Sequence, residues 1–347
     1  MTSFAHAHAA GRSWAECVDA CVERLGRPGR GLGFVYFTDA LVQDSKGIFE
    51  RLRERTGVAD WVGTVGTGIL STGSEYQEAT AVAAMLADLD HYEIFSGRAP
   101  LRGRAANFAV VHADPGAADV AGLVSDMASK VASGYVVGGI SSSRSRTVQI
   151  ANEVISGGLS GVALGSDVAV ATRLTQGCVP YPGRHRITEC EENIVVSLDG
   201  RPALDVLEET IGSDRVGILV GLPVPGSDTG DYTARNLVGI DPKARLIAIG
   251  EPVERGQELV FCKRDPGAAR ADLLRILSEL KTMCPAARGG LYFSCLARGE
   301  HMFGSRGAEL GMVRRVLGDV PLVGFFCNGE ISHDRLYGYT GVLTLFS

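Results

Sequence analysis

The sequence lacks several features that would assign it to a specialised class of protein. No stretch of about 18 uninterrupted apolar residues occurs, so no membrane span is predicted. The start of the chain has no charged segment followed by an apolar one, so no secretory signal is predicted. C-x-x-C pairs are also absent, and we interpret the eight cysteines as reduced thiols of a cytoplasmic protein.

An excess of basic residues is absent as well. The 34 basic and 40 acidic residues leave a formal charge of −6. Non-specific nucleic-acid binding needs a basic face, so we do not expect it here. His6 with His8 and Cys17 with Cys21 are not joined to a second pair at the spacing of zinc sites. The sequence therefore predicts no metal site.

Glycine, by contrast, is abundant. Its 45 copies in 347 residues are about 13% of the chain, against roughly 7% on average. They are scattered without a period, which is typical of turns and close backbone approaches. The length allows about two domains.

Apolar segments alternate with helical patterns, which predicts a mixed α/β fold of central β-sheets flanked by helices. Helices are predicted at Trp14–Leu25 with Ser13 as N-cap, at Ser74–Leu89, at Pro115–Ala132 beginning from Asp114, and after Asp265. Five short strands between residues 154 and 198 predict an antiparallel meander.

An internal repeat is visible in the sequence. Val35-Tyr36-Phe37-Thr38 resembles Leu291-Tyr292-Phe293-Ser294, and an amphipathic helix follows each segment. The next strand of each copy leads into a matching glycine spacing, Gly63-x4-Gly68 and Gly324-x4-Gly329. We infer two related domains, with close backbone approach to a ligand at these glycines.

Charged side chains follow two strands of the C-terminal half. Arg298 and Glu330 stand at loop positions, and Asn328 lies beside them. Facing one cavity, the arginine would hold a carboxylate and the glutamate an ammonium group, as a zwitterion requires. A structural ion pair is the alternative. Cys295 and Cys327 end the same strands, and either is a candidate nucleophile if a base lies near.

A stiff loop follows in the middle of the chain. Residues 176–186 hold two prolines, two glycines, a thiol and three cationic side chains. Loops of this kind line binding sites, so Gln176 and Cys178 are predicted to form one wall of the site. A structural crossover is the alternative.

Together these segments resemble the FIST family (F-box and intracellular signal transduction). The resemblance rests on an ordered set of motifs: Gln176-Gly-Cys-Val-Pro180, Asp199-Gly-Arg-Pro-Ala203, Phe293-Ser-Cys-Leu-Ala-Arg-Gly299 and Gly324-Phe-Phe-Cys-Asn-Gly-Glu-Ile331. Residues 1–30 precede these motifs, and their composition predicts a weakly ordered extension. The resemblance implies a FIST N-like domain (31–230) and a FIST C-like domain (231–347). It also implies a sensory module of the bacterial type for small ligands such as amino acids.

The sequence thus predicts a cytoplasmic small-ligand sensor that is not an enzyme and signals through a separate protein. The predicted ligand-binding residues are Arg298, Glu330, Asn328, Phe325, Cys295, Gln176, Cys178, Gly63, Gly68, Gly324 and Gly329. One alternative is a cysteine-dependent hydrolase or transferase that uses Cys295 or Cys327. Another, implied by the resemblance, is a haem-based gas sensor acting on a partner kinase, with His185 as the first candidate axial ligand. No cofactor is predicted otherwise.

Overall fold

A computed structural model describes residues 4–102, 106–212, 216–224 and 231–347. These residues form seven α-helices and 26 strands, which confirms the mixed α/β class. The helices are α1 (Trp14–Leu25), α2 (Ser45–Thr56), α3 (Val120–Lys130), α4 (Ala203–Ile211), α5 (Pro266–Met283), α6 (Glu300–Phe303) and α7 (Ala308–Leu317), with a 3₁₀ helix at Asp39–Asp44.

The strands are short and follow one another closely. They are β1 (Phe4–Ala10), β2 (Leu32–Thr38), β3 (Asp60–Gly66), β4 (Gly68–Ser71), β5 (Ser74–Gln77), β6 (Ala81–Ala87), β7 (Tyr92–Phe95), β8 (Phe108–Ala113), β9 (Tyr135–Ile140), β10 (Gln149–Ala151), β11 (Val154–Ile155), β12 (Leu159–Leu164), β13 (Val170–Gln176), β14 (Cys178–Pro180), β15 (His185–Glu191), β16 (Ile194–Leu198), β17 (Arg201–Pro202), β18 (Ile218–Pro223), β19 (Tyr232–Asp241), β20 (Leu246–Ile249), β21 (Glu258–Arg264), β22 (Gly289–Cys295), β23 (Leu322–Cys327), β24 (Glu330–His333), β25 (Arg335–Tyr337) and β26 (Thr340–Phe346).

The chain divides into two compact units. Unit 1 contains residues 1–175 and 271–347, and unit 2 contains residues 176–270. The predicted division at residues 230 and 231 follows sequence segments instead, and it cuts through unit 2. The units are defined by which residues contact one another in space, and the two ends of the chain contact each other, so both belong to unit 1.

Unit 1 contains three six-stranded sheets. Their strand orders are β1-β6-β2-β3-β10-β11 (sheet I), β13-β26-β22-β23-β4-β5 (sheet II) and β25-β24-β9-β8-β12-β7 (sheet III). Each sheet has one parallel pair near its centre: β2 with β3, β22 with β23, and β8 with β9. Helical segments connect the strands of each pair, as parallel strands require. Both predicted repeat segments therefore belong to unit 1, and β8–α3–β9 is a third copy.

The strand that follows each parallel pair joins a different sheet. After β3 of sheet I, β4 pairs with β23 of sheet II. After β23, β24 pairs with β9 of sheet III, and after β9, β10 pairs with β3 of sheet I. The exchange closes a cycle among the three sheets, which ties them into one unit.

Aromatic side chains from all three sheets meet in the core of unit 1. Tyr36 of β2, His112 of β8 and Phe293 of β22 occupy corresponding positions in the three copies. Their ring centroids lie 5.6 to 6.5 Å apart. Phe325 of β23 packs against Tyr36 at 5.2 Å, and all four side chains are buried.

Unit 2 is a closed antiparallel sheet. Strands β21, β15, β16, β20, β19 and β18 follow one another, and β18 pairs back with β21. Helix α4 packs into its core with Leu204 and Leu207. The predicted meander is therefore found at β15 and β16, whereas its earlier segments, β11 to β13, belong to the sheets of unit 1.

Three local predictions differ from the structure. The segment predicted to be weakly ordered contains β1 and the expected helix α1, whose Ser13 side chain caps the helix at Glu16. The predicted helix Ser74–Leu89 is wrong, because β5 and β6 occupy it. Strand β6 is buried along its whole length between β1 and β2, so it shows no alternation. Helix α3 begins only at Val120, where Asp119 caps it, and not after Asp114.

Candidate functional site

Four of the predicted site residues lie at or just beyond the carboxyl ends of β22 and β23. Cys295 and Cys327 are the last residues of these parallel strands and are paired in register. Arg298 and Glu330 each follow three residues later. Side chains at positions 293 and 295, and at 325 and 327, point to the same face by strand alternation, so the cysteines continue the aromatic core.

Arg298 is paired with Glu309 of α7. Its Nε and Nη2 donate to Glu309 Oε1 at 2.9 and 2.7 Å, and Tyr292 donates to the same oxygen at 2.5 Å. Both charged side chains have no exposed surface. Burial is the largest single effect and lowers the pKa of Arg298, but Glu309 and Tyr292 together outweigh it and raise the pKa, so the guanidinium stays charged. The alternative of a structural ion pair is therefore realised, although with Glu309 in place of Glu330.

Glu330 lies in a second buried polar group. Its Oε2 accepts hydrogen bonds from the backbone nitrogen and the hydroxyl of Thr340, at 3.2 and 2.8 Å. Burial raises the pKa of Glu330 to about 8, against the opposing effect of Thr340. Burial and then the nearby Glu330 raise the pKa of Cys295 to about 12, and the pKa of Cys327 is also well above its usual range for the same reasons.

Two polar atoms of these groups are unsatisfied. Among the described residues, Arg298 Nη1 and Glu330 Oε1 have no hydrogen-bond partner of ordinary geometry. The charge of Arg298 nevertheless lowers the pKa of Glu330, so the two side chains influence each other through the protein interior. The structure thus brings Arg298, Glu330 and Cys295 into one buried region.

The remaining predicted residues have structural contacts. Phe325 belongs to the aromatic core, and Asn328 is exposed. A Cβ atom on Gly63 would lie 1.8 Å from the Val35 carbonyl oxygen, and one on Gly324 would lie 1.7 Å from that of Tyr292. The neighbouring strand occupies the space at these glycines.

The other two predicted glycines lie in the strands and turns that follow. A Cβ atom on Gly68 would lie 2.8 Å from the ring of Phe326. Gly329 has a φ of 139°, and a Cβ atom there would lie 3.1 Å from Ile140. Protein atoms therefore surround all four glycines.

Gln176 and Cys178 belong to unit 2. The Gln176 side-chain nitrogen donates to the Tyr232 carbonyl at 2.9 Å, and the Tyr232 hydroxyl donates to the Cys178 carbonyl at 2.9 Å. Tyr232 thus holds both residues of the Gln-Gly-Cys-x-Pro motif at the start of this unit.

An open cleft lies at the carboxyl end of β8 in unit 1. Its volume is about 530 Å³, and its lining includes Arg98, Asp114, Gly116, Ser143, Arg146 and Ser156. By strand register, Asp114 corresponds to Cys295 in the copy formed by β22 and β23. The cleft therefore occupies the strand-end position at which the other copy has its buried cysteines.

Backbone amides hold the carboxylate of Asp114 in place. Its Oδ1 accepts from Gly116 and its Oδ2 from Gly157, both at 2.8 Å, and the residue is only 7% exposed. Arg98 pairs with Glu153, and Arg146 donates to the Val42 carbonyl.

The sequence predicted neither this cleft nor the role of Glu309. Arg146 in the basic segment 141–146 is the signal that could have pointed to the cleft, because the Asp-Pro pair at 114 suggests only a helix start.

Metal ligands are not clustered in the described ranges of the chain. His8 contacts the Tyr76 hydroxyl at 2.6 Å, and burial lowers its pKa. The Cys17 and Cys21 thiols donate to the carbonyl groups of Thr80 and Val82. His8, Cys17 and Cys21 thus each contact another group of the protein.

His185 does not fit a haem ligand in this arrangement. In unit 2 its Nδ1 lies 2.8 Å from Asp199 Oδ2, and its Nε2 lies 3.4 Å from Thr210 Oγ1. An axial histidine needs one ring nitrogen directed at the iron. The cavity beside it, lined by Gly183 and Arg184 among others, has a volume of about 290 Å³, and both nitrogens face protein groups.

The fold and the cleft define a mixed α/β protein with a polar strand-end site in unit 1. Residues 31–201 match the FIST N domain and residues 203–333 match the FIST C domain. The chain therefore belongs to the FIST family, as the motifs indicated, and this family is associated with sensing in signal transduction. The boundary between the two matches lies upstream of the predicted residue 230. No helix in the described part of the chain is long and apolar enough to cross a membrane.

Two relatives carry no assigned activity in their names. The chain is 35% identical over 213 residues to Uncharacterized protein Rv0628c of Mycobacterium tuberculosis. It is 31% identical over 212 residues to Uncharacterized protein Mb0898c of Mycobacterium bovis. Each match covers 56% of this chain and 55% of the relative, so the chain spans about half the length of the curated relatives it matches.

Proposed function

We propose that the protein is a sensor that binds a small polar metabolite, such as an amino acid, in the cleft at the carboxyl end of β8. The observation that carries the proposal is the combination of charges in that cleft. Arg98 and Arg146 supply positive charge, and Asp114 supplies negative charge in a volume of about 530 Å³. Small-molecule sites commonly have this size, with a few polar groups that fix the ligand's orientation.

The chemistry of the lining favours a zwitterion. An arginine binds a carboxylate through paired hydrogen bonds, and a carboxylate held by two amides retains lone pairs for an ammonium group. Arg98 pairs with Glu153, and the side chains of this pair are 72% and 48% exposed. Exposed pairs contribute little to stability, so a ligand would displace this one at low cost.

In this proposal Arg298 and Glu330 stabilise the fold and do not contact the ligand. The charge of Arg298 is already balanced by Glu309, and both side chains are fully buried. The direct ligand contact that the sequence predicts for Arg298 and Glu330 stays a prediction, and the experiment below distinguishes it from binding in the cleft.

The sensor would pass its signal to a separate signalling protein in the cytoplasm. Ligand binding would shift the population of conformations that such a partner recognises. All eight cysteines carry free thiols, which is typical of a reducing compartment.

A cysteine-dependent enzyme remains the alternative function. Cys295 and Cys327 lie beside Glu330, but burial raises the pKa of both thiols and keeps them protonated. A nucleophilic cysteine needs its thiolate and access to substrate. Rapid trapping of either thiol by an electrophile, competed by a substrate, would favour the enzyme.

Native mass spectrometry of freshly purified protein, compared with a denatured sample, tests for a retained ligand. Calorimetric titration with amino acids and other small polar metabolites then gives the affinity. We expect R98A and R146A each to weaken binding by about tenfold or more. The exposed R315A on α7 serves as the matched control and should leave the affinity unchanged.

Binding at the buried residues Arg298 and Glu330 would give the opposite outcome. If E330Q abolishes binding while R98A and R146A leave it unchanged, the ligand occupies the region of Arg298 and Glu330, and the cleft proposal is wrong.

A further inference from the structure

Two thiols lie together on one face of the sheet in unit 2. Strand β14 pairs with β21 in antiparallel register, with Cys178 opposite Arg264 and Pro180 opposite Cys262. Cys178 and Pro180 share a face by alternation, so Cys262 is the diagonal neighbour of Cys178 on that face. The thiols of Cys262 and Cys178 lie within hydrogen-bond reach of each other.

The surroundings of the two sulfurs differ. Cys262 is fully buried, whereas Cys178 is partly exposed. The side chain of Arg264 extends from the position directly opposite Cys178 and on the same face. A cationic side chain and a thiol donor both stabilise a thiolate, and a partly exposed thiolate is the reactive form of cysteine.

Strand β14 has three residues and lies at the end of the strand order of its sheet. Sulfurs in hydrogen-bond contact must approach to about 2.05 Å to form a disulfide. A short edge strand can make that movement without disturbing the closed ring of strands from β21 to β18.

We propose that Cys178 and Cys262 form a peroxide-reactive dithiol site, in which Cys178 is oxidised first and Cys262 resolves it to a disulfide. The inference does not depend on the proposed ligand. It assigns a chemical property to the cysteine of the Gln-Gly-Cys-x-Pro motif, which the sensing proposal does not use.

The reaction has two steps. The Cys178 thiolate attacks hydrogen peroxide: an S–O bond forms, the O–O bond breaks, and the departing hydroxide is protonated to water, which leaves a sulfenic acid. The Cys262 thiol then loses its proton and attacks that sulfur. The S–S bond forms, the S–O bond breaks, and a second water leaves. Two thiols and one peroxide thus give one disulfide and two waters.

Cys190 provides a matched comparison within unit 2. It is also partly exposed, but its thiol donates to the Val253 carbonyl at 3.5 Å. Exposure alone would make Cys190 and Cys178 similarly reactive. The thiol donor and the opposite arginine predict that Cys178 reacts about tenfold faster or more.

The test treats the full-length protein with a small excess of hydrogen peroxide and maps its peptides without reduction. We expect a linked peptide pair containing Cys178 and Cys262, with the loss of two hydrogens, that reappears as two peptides after reduction. In C262S, dimedone should trap a sulfenic acid at Cys178. In C178S, Cys262 should stay unmodified, and C190S should form the linkage as the natural sequence does.

Circular dichroism establishes that each variant is folded before treatment. The proposal is overturned if Cys178 is oxidised no faster than Cys190, or if the linkage joins other cysteines. It is also overturned if R264M leaves the rate of oxidation at Cys178 unchanged and dimedone traps no sulfenic acid at Cys178 in C262S.

Discussion

Arg298 and Glu309 form an ion pair whose two side chains are both removed from water. The pair persists because the carboxylate also accepts from Tyr292, Ser294 and the Gly299 backbone. Desolvating two charges is costly, and several hydrogen bonds are needed to offset that cost. Removal of one partner would therefore leave a buried charge without compensation.

We predict that E309Q lowers the free energy of unfolding by about 3–5 kcal/mol. E300Q is the matched control, because Glu300 pairs with Arg306 at 2.9 Å and both side chains are about half exposed. That change should cost less than about 1 kcal/mol. Urea unfolding of both variants measures the difference, and equal small losses would show that the buried pair contributes no special stability.

Glu330 introduces a pH dependence. Its pKa in the folded protein is raised from 4.5 to about 8, so the folded state holds a proton that the unfolded state releases between these values. The contribution to stability is therefore fully present below about pH 4.5 and is lost as the pH rises towards 8.

We predict that the natural protein loses about 1 kcal/mol of stability per pH unit, relative to E330Q, between about pH 5.5 and 7.5. Glutamine keeps the shape but does not titrate, so the other ionisable groups cancel in the comparison. Urea unfolding at several pH values gives the difference. Parallel curves for the two proteins would mean that Glu330 is ionised in the folded state.

At the scale of secondary structure elements, one glycine in each copy brings a parallel strand pair together. A Cβ atom on Gly63, Gly138 or Gly324 would lie within 1.8 Å of a carbonyl oxygen of the neighbouring strand. Backbone atoms cannot move aside cheaply, so a side chain there would separate the strands.

We predict that G324A destabilises the protein by more than about 3 kcal/mol, because its Cβ atom would overlap the Tyr292 carbonyl. G311A is the control: Gly311 lies inside α7, and nothing lies within 4 Å of a Cβ atom there. Alanine at that position should stabilise the helix by up to about 1 kcal/mol. Thermal unfolding of both variants checks the prediction, which a tolerated G324A would contradict.

Local signals in the sequence explain which elements could be predicted. Ser13 marked the start of α1 and Asp265 that of α5, because a capping side chain and a following apolar face lie in neighbouring residues. The alanine-rich β6 could not be recognised, since burial on both faces removes the alternation that identifies a strand.

The candidate site was predictable only in part, for a similar reason. Arg298 and Glu330 were recognised as residues of one region because each follows a strand of a repeated motif. The partner of Arg298 is Glu309 on a helix, and the spacing of the sequence gives no sign of that contact. The cleft depends on the exchange of β10 into sheet I, a pairing between residues more than 80 positions apart.

At the scale of the whole molecule, the chain builds two units with separate hydrophobic cores. The core of unit 2 contains Leu207 of α4 and Phe261 of β21. The central core of unit 1 contains Leu291 of β22 and Phe325 of β23. Unit 1 is completed only after residue 271, so its last strands must return to strands that precede unit 2 in the chain.

Separate cores predict separate stabilities. We expect L207A to increase hydrogen exchange of the amides in residues 176–270 by about tenfold or more, because a buried leucine-to-alanine change costs about 2–5 kcal/mol. Exchange in the core strands of unit 1 should stay unchanged. L291A is the matched control, since Leu291 is also fully buried, and it should give the reverse pattern. Exchange measured by mass spectrometry resolves both regions, and an equal increase throughout the chain in both variants would mean that the two units unfold as one.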